Sequence, residues 1–462
     1  MTLRFLVTLV LAAANTQAAP NILLILADDL AWSDLGCYGS KTCETPNLDK
    51  LARQGIRYTD AYAAAPLCSP ARAALMTGRS PARLNFEFVT KWTTDKPYYW
   101  PAHKVVPPPY TFNLPLEETT IAEVLRDAGY QTAMVGKWHL NTHYKTYNGW
   151  SPEFGPRQQG FEHAVETFGS HPWAYRDKTE PTFDNFAPGE YAPDSLTDAT
   201  IDFLENRDST KPYFLFASLF YVHSPVRPRG EWLVEKYRRK LGQAGAEDHA
   251  VYCSFVETLD WHVGRLLDAV DTDTLVVFTS DNGGHPQYAA NAPLRGSKWN
   301  LYEGGIRAPL IVRWPEGAGA GETNSDPIIG TDLFATFAEM AGAKSAAEDS
   351  VALTRRGSAE HPLVWHFPYY HPERGFPESP KTIGVGDRYV SQTRPSSAIR
   401  VANDKLIYYH DDKSVELYNL GRDLSEQHNL AKENPRRADA LRQQLLSYLE
   451  AANARWPTSV SR

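Results

Sequence analysis

Short apolar runs alternate with amphipathic stretches along this chain, and that alternation leaves few folds open. Ile22 to Leu26 contains no polar residue, as expected for a strand buried on both faces, and it runs into Ala27-Asp28-Asp29. Thr45-Pro46 opens a helix through Leu48, Leu51 and Ala52 that Gly55 stops, and Ile56 to Tyr62 follows as a strand. Thr120 with Glu123 makes a capping box for a helix carrying Ile121, Val124 and Leu125, with Gly129 as its stop. Gln131 to Val135 is the next strand and ends in Gly136-Lys137-Trp138-His139. Tyr213 to Val222 leads likewise into His223. Val251, Phe255, Leu259, Val263 and Leu266 recur at helical spacing, and Leu275 to Phe278 is a strand ending in Ser280-Asp281-Asn282. Pro309 to Val312 is a further strand candidate.

Strands alternating with helices imply right-handed crossovers, so the expected class is α/β, with a large, mainly parallel sheet sandwiched by helices. Ligands bind such sheets beyond the carboxyl ends of the strands, where all the polar clusters above fall. Pro327 to Ala343 reads as a helix, and the polar stretch Lys344 to Glu360 as a linker or surface excursion. Short strand candidates follow at Pro362 to Tyr370, Ala398 to Val401, Lys405 to Tyr409 and Val415 to Tyr418, then a helix from Pro435 to Ala452. These read as a smaller C-terminal domain of antiparallel sheet plus helix. The expected division is a signal peptide at 1–18, a catalytic α/β domain at 19–345 and the smaller domain at 346–462.

Arg4, the apolar stretch Phe5 to Ala14 and Thr16-Gln17-Ala18 have the order of a secretory signal with its cleavage site. A membrane anchor needs about 20 apolar residues, which neither this run nor any other supplies. The chain is expected to be secreted or periplasmic, both remaining open. Its net charge of −8 argues against nucleic acid as a partner but leaves room for a local anion site.

Four cysteines are too few for a disulfide scaffold. Cys37 and Cys43 are near enough in sequence to pair across a loop, or to remain apart. Cys253, in an apolar helical stretch, reads as a small buried hydrophobe. Cys68 precedes Ser69-Pro70-Ala71-Arg72, and Pro70 and Gly78 bracket a short helix that places Cys68 at its start. Helix N-termini favour negative charge, so the plain expectation is a thiolate of low pKa, with Arg72 one turn on. Asp28-Asp29 and Asp281-Asn282 offer oxygen ligands of the kind that suit Ca2+ or Mg2+. Taken singly, each aspartate fits a helix cap or turn equally well; two pairs at strand ends favour a metal.

Cys68-Ser69-Pro70-Ala71-Arg72 resembles the Cys-x-Pro-x-Arg signature of formylglycine-dependent sulfatases, extended by Leu75-x-Thr77-Gly78. Ala71 stands where many relatives have Ser, at a position the resemblance treats as variable. Gly129-Tyr130 through Gly136-Lys137-Trp138-His139 is similar to the second motif of that family. Asp28-Asp29, His223, Asp281-Asn282-Gly283-Gly284, Lys298 and Glu416-Leu417-Tyr418-Asn419-Leu420 match in family order.

The resemblance implies that a formylglycine-generating maturation enzyme oxidises Cys68 to an aldehyde (3-oxoalanine). Asp28, Asp29, Asp281 and Asn282, with an oxygen of modified Cys68, would hold one cation, Ca2+ ahead of Mg2+. A hydroxyl of the hydrated aldehyde, activated by the cation and Arg72, would attack sulfur. Lys137 and Lys298 would grip sulfate oxygens, His223 would protonate the leaving oxygen, and His139 would take the proton that lets sulfate depart. Three carboxylates set against a divalent cation and three basic side chains leave the site positive, as an anionic ester requires. His139 and His223 also fit ordinary core histidines, and Lys298 a solvated loop charge.

Long aromatic, Pro-rich segments at Lys91 to Tyr110 and His171 to Tyr191 have the composition of a substrate mouth. Trp92, Tyr98, Tyr99, Trp100 and Trp173 are candidates to stack on sugar rings. His285, Arg295 and His371 are candidate substrate contacts, and His366 lies near His371 in sequence. Sequence around Leu294-Arg295-Gly296 and Tyr302-Glu303-Gly304-Gly305 is similar to bacterial enzymes that desulfate polysaccharide fragments. A sulfated carbohydrate is therefore the expected substrate. The rivals are a phosphatase, phosphodiester or phosphonate hydrolase of the same superfamily, and a sulfated-glycan binding protein without turnover.

Overall fold

A computed structural model describes residues 19–97, 103–166, 186–224, 226, 230–242, 247–289, 291–344, 347–355, 361–371, 385 and 393–460. The signal-peptide segment and Tyr98, Tyr99, Trp100 and Trp173 lie outside the described residues. No helix among those described is long and apolar enough to cross a membrane.

Eight described strands form the main sheet. Their order is Thr323–Asn324, Ile56–Tyr58, Leu310–Arg313, Leu275–Ser280, Ile22–Ala27, Tyr213–Ser218, Gln131–Gly136 and His163–Val165. Leu310–Arg313 runs antiparallel to both neighbours, and every other pairing is parallel. The all-apolar Ile22–Ala27 strand shows why such runs are needed at the centre. Leu23 and Ile25 enter a core with Leu48, Leu51, Phe255 and Leu259, while Ile22, Leu24 and Leu26 enter another with Ala73, Leu125 and Phe337. Each fully buried Leu or Ile contributes about 1.5–3 kcal/mol, so a polar residue anywhere in this strand would be costly.

The strands Leu363–Phe367, Ser396–Val401, Asp404–Tyr409 and Val415–Asn419 make a separate antiparallel sheet in chain order. One face packs Ile399, Leu406 and Leu417 on Leu441, Leu445 and Leu449 of the Pro435–Ala451 helix. The other packs Trp365, Phe367 and Ile407 against Trp299 and Leu301, of the loop that carries Lys298, and against Ile306 of the short helix that follows it. The second sheet thus backs the active-site end of the first.

Several expectations need correction. The strand expected over Ile56 to Tyr62 breaks in two, because the chain bends at Thr59-Asp60 and the Asp60 carboxylate binds Arg307 and Arg400. Its second part, Ala61–Tyr62, pairs with Ile328–Ile329, so the helix expected from Pro327 starts only at Asp332. The strand expected to Val222 stops at Ser218, beyond which Tyr221 and Val222 exchange backbone hydrogen bonds with Asp28. The described part of the expected linker is tied down: Asp349 binds Arg83, and the Val351 amide donates to Asp332.

The reading of Cys253 as a plain buried hydrophobe is overturned, and the open question of Cys37 and Cys43 resolves against their pairing. Cys43 is bonded to Cys253, and Cys37 is free. The physical reason is helix packing across 210 residues of sequence, invisible to local spacing. Asp260 of the Glu247–Asp268 helix accepts from the Asn47 and Leu48 amides, capping the Pro46–Gln54 helix and drawing Cys43 onto Cys253.

Candidate active site

Cys68 begins a helix, Cys68–Thr77, in which every residue is buried. Leu67 precedes it in extended conformation and offers no side-chain cap, which leaves the helix start without a capping oxygen from that residue. Gly78 ends the helix at φ 65°, a left-handed conformation that glycine adopts without penalty, and its amide donates to Ala74.

Asp28 and Asp29 leave the end of Ile22–Ala27, and Asp281 and Asn282 leave the end of the adjacent Leu275–Ser280 strand. The parallel register brings the two pairs together: the Asp29 amide donates to Asp281 Oδ1 at 3.2 Å, and Asn282 Nδ2 to Asp29 Oδ1 at 2.7 Å. Cys68 Sγ lies 3.5 Å from Asp28 Oδ1. Asp29 and His139 both hold positive φ, 62° and 56°, unusual for residues with side chains and frequent at functional sites.

Three buried cations close over these carboxylates. Arg72 Nε donates to Asp281 Oδ2 at 2.9 Å, Nη2 reaches the same oxygen at 2.8 Å, and Nη1 donates to both the Lys137 carbonyl and Ser218 Oγ. Lys137 Nζ binds Asp28 Oδ2, and Lys298 Nζ binds Asp29 Oδ2 at 2.7 Å. Burial disfavours each ammonium, but Asp28 beside Lys137 and Asp29 beside Lys298 outweigh it and keep both charged. Sequence reasoning missed Ser218, although it ends a strand as the other polar clusters do.

Burial, and then the Asp281 carboxylate, push the Cys68 thiol well above its ordinary pKa. The expected low-pKa thiolate is therefore corrected: a helix start cannot offset full burial among carboxylates. Asp281 itself is raised to about 6 by burial and by Asp28.

Both ring nitrogens of His139 are buried without a hydrogen-bond partner among the described residues, and burial followed by Lys137 and Arg72 holds the ring neutral. His223 Nδ1 lies 2.6 Å from the Ser224 carbonyl, so it carries the hydrogen and leaves Nε2 toward Lys298 at 3.3 Å. His285 is pushed down to about 3 by burial and Lys298, and its ring packs edge-on against Trp299 at 5.0 Å. His371 packs on the same indole at 4.6 Å. Trp92 is exposed and lies edge-on to His143. Arg295 is turned toward the second sheet, donating to Tyr418 and the Glu426 carbonyl and lying 4.1 Å over Tyr302. His366 is used within the second sheet, bound to Ser397 and the Arg455 carbonyl.

Asp28, Asp29, Cys68 and His223 each present an atom within 4.8 Å of the others. The two carboxylates, with Asn282 Oδ1 buried and without a hydrogen-bond partner among the described residues, are the oxygen donors that suit a hard divalent ion. An orphaned carbonyl oxygen among carboxylates is a cost unless something positive meets it.

Buried positive charge arranged over carboxylates, at the carboxyl ends of a mainly parallel sheet, belongs to α/β hydrolases of anionic esters. The family model described as Sulfatase matches residues 20–343, and the chain belongs to the sulfatase family. It is a sulfuric ester hydrolase. A sulfatase of Formosa agariphila is 31% identical, covering 93% of this chain and 88% of that one. The N-acetylgalactosamine-6-sulfatase of Canis lupus familiaris is 33% identical, covering 72% of this chain and 64% of its own. A solved structure of Ps i-CgsB in complex with k-i-k-neocarrahexaose superposes with a TM-score of 0.71 at 26% identity, covering 94% and 93% of the two chains.

Proposed function

We propose that this sulfatase removes sulfate from a sulfated carbohydrate, using an aldehyde made from Cys68 by a maturation enzyme and a cation held by Asp28, Asp29, Asp281 and Asn282. The observation that carries this reading is the convergence of Arg72, Lys137 and Lys298, all buried, on the carboxylates beside Cys68. Aldehyde and cation together supply the oxygen nucleophile. Ca2+ suits the site better than Mg2+, because an enclosed set of carboxylate and amide oxygens leaves little room for the waters Mg2+ retains.

The chain's own residues account for the remaining work. Lys137 commits one of its three ammonium hydrogens to Asp28, and Lys298 one to Asp29 and one to His223 Nε2, so each keeps at least one for a sulfate oxygen. Arg72 is fixed by Asp281, Ser218 and the Lys137 carbonyl, so its charge stands still as negative charge develops. His139, neutral and without a competing partner, takes a proton; His223, when protonated on Nε2, gives one to the departing alcohol.

The carbohydrate rests on the neocarrahexaose complex and the N-acetylgalactosamine-6-sulfatase relatives. Export to the periplasm or beyond is supported by the Cys43–Cys253 disulfide, since such bonds persist in oxidising compartments. Parallel assays of the matured protein on aryl sulfate, aryl phosphate and sulfated oligosaccharides test the reading. Turnover of both sulfate classes is expected; a preference for phosphate would overturn it in favour of a phosphoester hydrolase.

A further inference from the structure

Ser218 ends the Tyr213–Ser218 strand, fully buried, where two of the three buried cations meet. Its Oγ donates to the Lys137 carbonyl at 2.7 Å and accepts from Arg72 Nη1 at 2.6 Å. Arg72 Nη1 also donates to that carbonyl at 2.9 Å, which closes a triangle of three hydrogen bonds. The Ser218 main chain joins the same group, its carbonyl accepting from the Lys137 amide at 2.9 Å. Side chains from three separate segments are thus tied through one hydroxyl.

The triangle decides which nitrogen of Arg72 is left to act. Nε donates to Asp281 Oδ2, and both hydrogens of Nη1 are used within the triangle. Nη2 pairs as a charge with Asp281 Oδ2 at 2.8 Å and Asp28 Oδ2 at 3.8 Å, yet has no hydrogen-bond partner among the described residues. The other oxygen of Asp28 lies 3.5 Å from Cys68 Sγ, so Nη2 is the Arg72 nitrogen on the Cys68 side. Packing supports the guanidinium less closely than these bonds do. Arg72 and Asp281 line a cavity of about 20 Å³ whose other walls include Ala61, Ala63, Ala64 and Ala71. Buried hydrogen bonds from a charged donor are strong enough to set its orientation instead.

We propose that Ser218 is a positioning residue for the hydrolysis: by holding Arg72 Nη1 against the Lys137 carbonyl, its hydroxyl turns Arg72 Nη2 toward the reacting group at Cys68. Removing the hydroxyl leaves Nη1 one acceptor in place of two, and the guanidinium is then free to turn about its Cζ–Nε bond. A serine at a strand end more often does no more than satisfy its neighbours, and that plainer role predicts lost stability without lost turnover in the molecules still folded. This inference deepens the roles given to Cys68 and Arg72 above and rests on them.

The test measures kcat and KM on 4-nitrophenyl sulfate per mole of aldehyde, counted on the Cys68 peptide by mass, together with Tm. Ser218→Ala should lower kcat about tenfold and leave KM within about twofold, because Lys137 and Lys298 still grip the ester. Ser218→Thr and Ser218→Val share one shape and differ in the hydroxyl, so the threonine variant should exceed the valine variant in kcat about tenfold, whatever the added methyl does to Tm. Equal kcat for those two, or a Ser218→Ala kcat unmoved per aldehyde, overturns the proposal and leaves the hydroxyl a structural part. Where neither branched variant folds, Ser218→Ala decides alone. If the unaltered, matured protein turns over neither 4-nitrophenyl sulfate nor a sulfated oligosaccharide, the reading of Cys68 and Arg72 itself fails, and this inference with it.

Discussion

The Gly283 amide donates to the Gly305 carbonyl at 3.0 Å, and a Cβ on Gly283 would lie 1.9 Å from the Gly304 carbonyl oxygen. This contact presses the loop bearing Asp281 and Asn282 against the turn that follows Lys298. The Lys298 amide donating to Gly284 completes the join, so Asp281, Asn282 and Lys298 belong to one packed unit. Gly283→Ala is expected to cost about 1–3 kcal/mol of stability and to lower kcat further than that loss explains. Denaturant unfolding and steady-state kinetics on one preparation check this; unchanged kcat would show that the two loops are independent.

Behind that turn lies a buried ion network. Lys405 bridges Glu303 and Glu426 at 2.8 Å each, all three fully buried, while Arg307 also binds Glu303. Burial alone would raise Glu303, but Lys405, Arg307 and Arg400 outweigh it and hold the carboxylate ionised. Burial raises Glu426, opposed by Lys405. Lys405→Met would strand Glu426 in the interior and leave Glu303 to Arg307, a loss of about 3–5 kcal/mol by the behaviour of broken buried pairs. Urea unfolding measures it, and a cost below about 1 kcal/mol would mean the pair is solvated or compensated.

Acid sensitivity should have an identifiable source in the second sheet. Burial pushes His366 down to about 4, and its Nε2 donates to the Arg455 carbonyl, fixing the ring as neutral. The unfolded chain takes up a proton near the ordinary value of about 6.5 while the folded chain refuses it until about 4. The stability His366 contributes is therefore full above about 6.5 and is lost as pH falls toward 4, in all about 3 kcal/mol. His366→Gln should flatten the dependence of Tm on pH between 7 and 4, whatever its effect at neutral pH. An unaltered slope would place the acid lability elsewhere.

Cys43–Cys253 closes a loop spanning 210 residues, for which chain entropy gives about 2–5 kcal/mol. Cys43→Ser with Cys253→Ser should lower the urea midpoint accordingly, leaving kcat within about twofold in the population still folded. A midpoint unmoved by the double change would show that the bridge adds nothing to stability.

The strand ends were readable because a parallel sheet collects its chemistry at one edge. Asp28, Lys137 and Asp281 each follow an apolar run, and no long-range information is needed to see it. The capping box at Thr120 and Glu123 was readable for the same local reason. What escaped depends on packing between distant segments: Cys253 meeting Cys43 through the Asp260 cap, Arg295 turning to Tyr418, Asp60 breaking a strand to meet Arg400. The pKa of Cys68 was misread because a helix start is local, whereas burial beside Asp281 is not.

The central claim is that Cys68 is the precursor of the nucleophile rather than the nucleophile. Its most direct test is the mass of the Cys68 peptide from a preparation of known specific activity, made with and without a maturation enzyme. Activity should rise in proportion to the fraction carrying aldehyde in place of thiol, and the denatured, unreduced mature protein should show Cys37 as its one titratable thiol. Full activity from protein whose Cys68 is still a thiol would contradict the account.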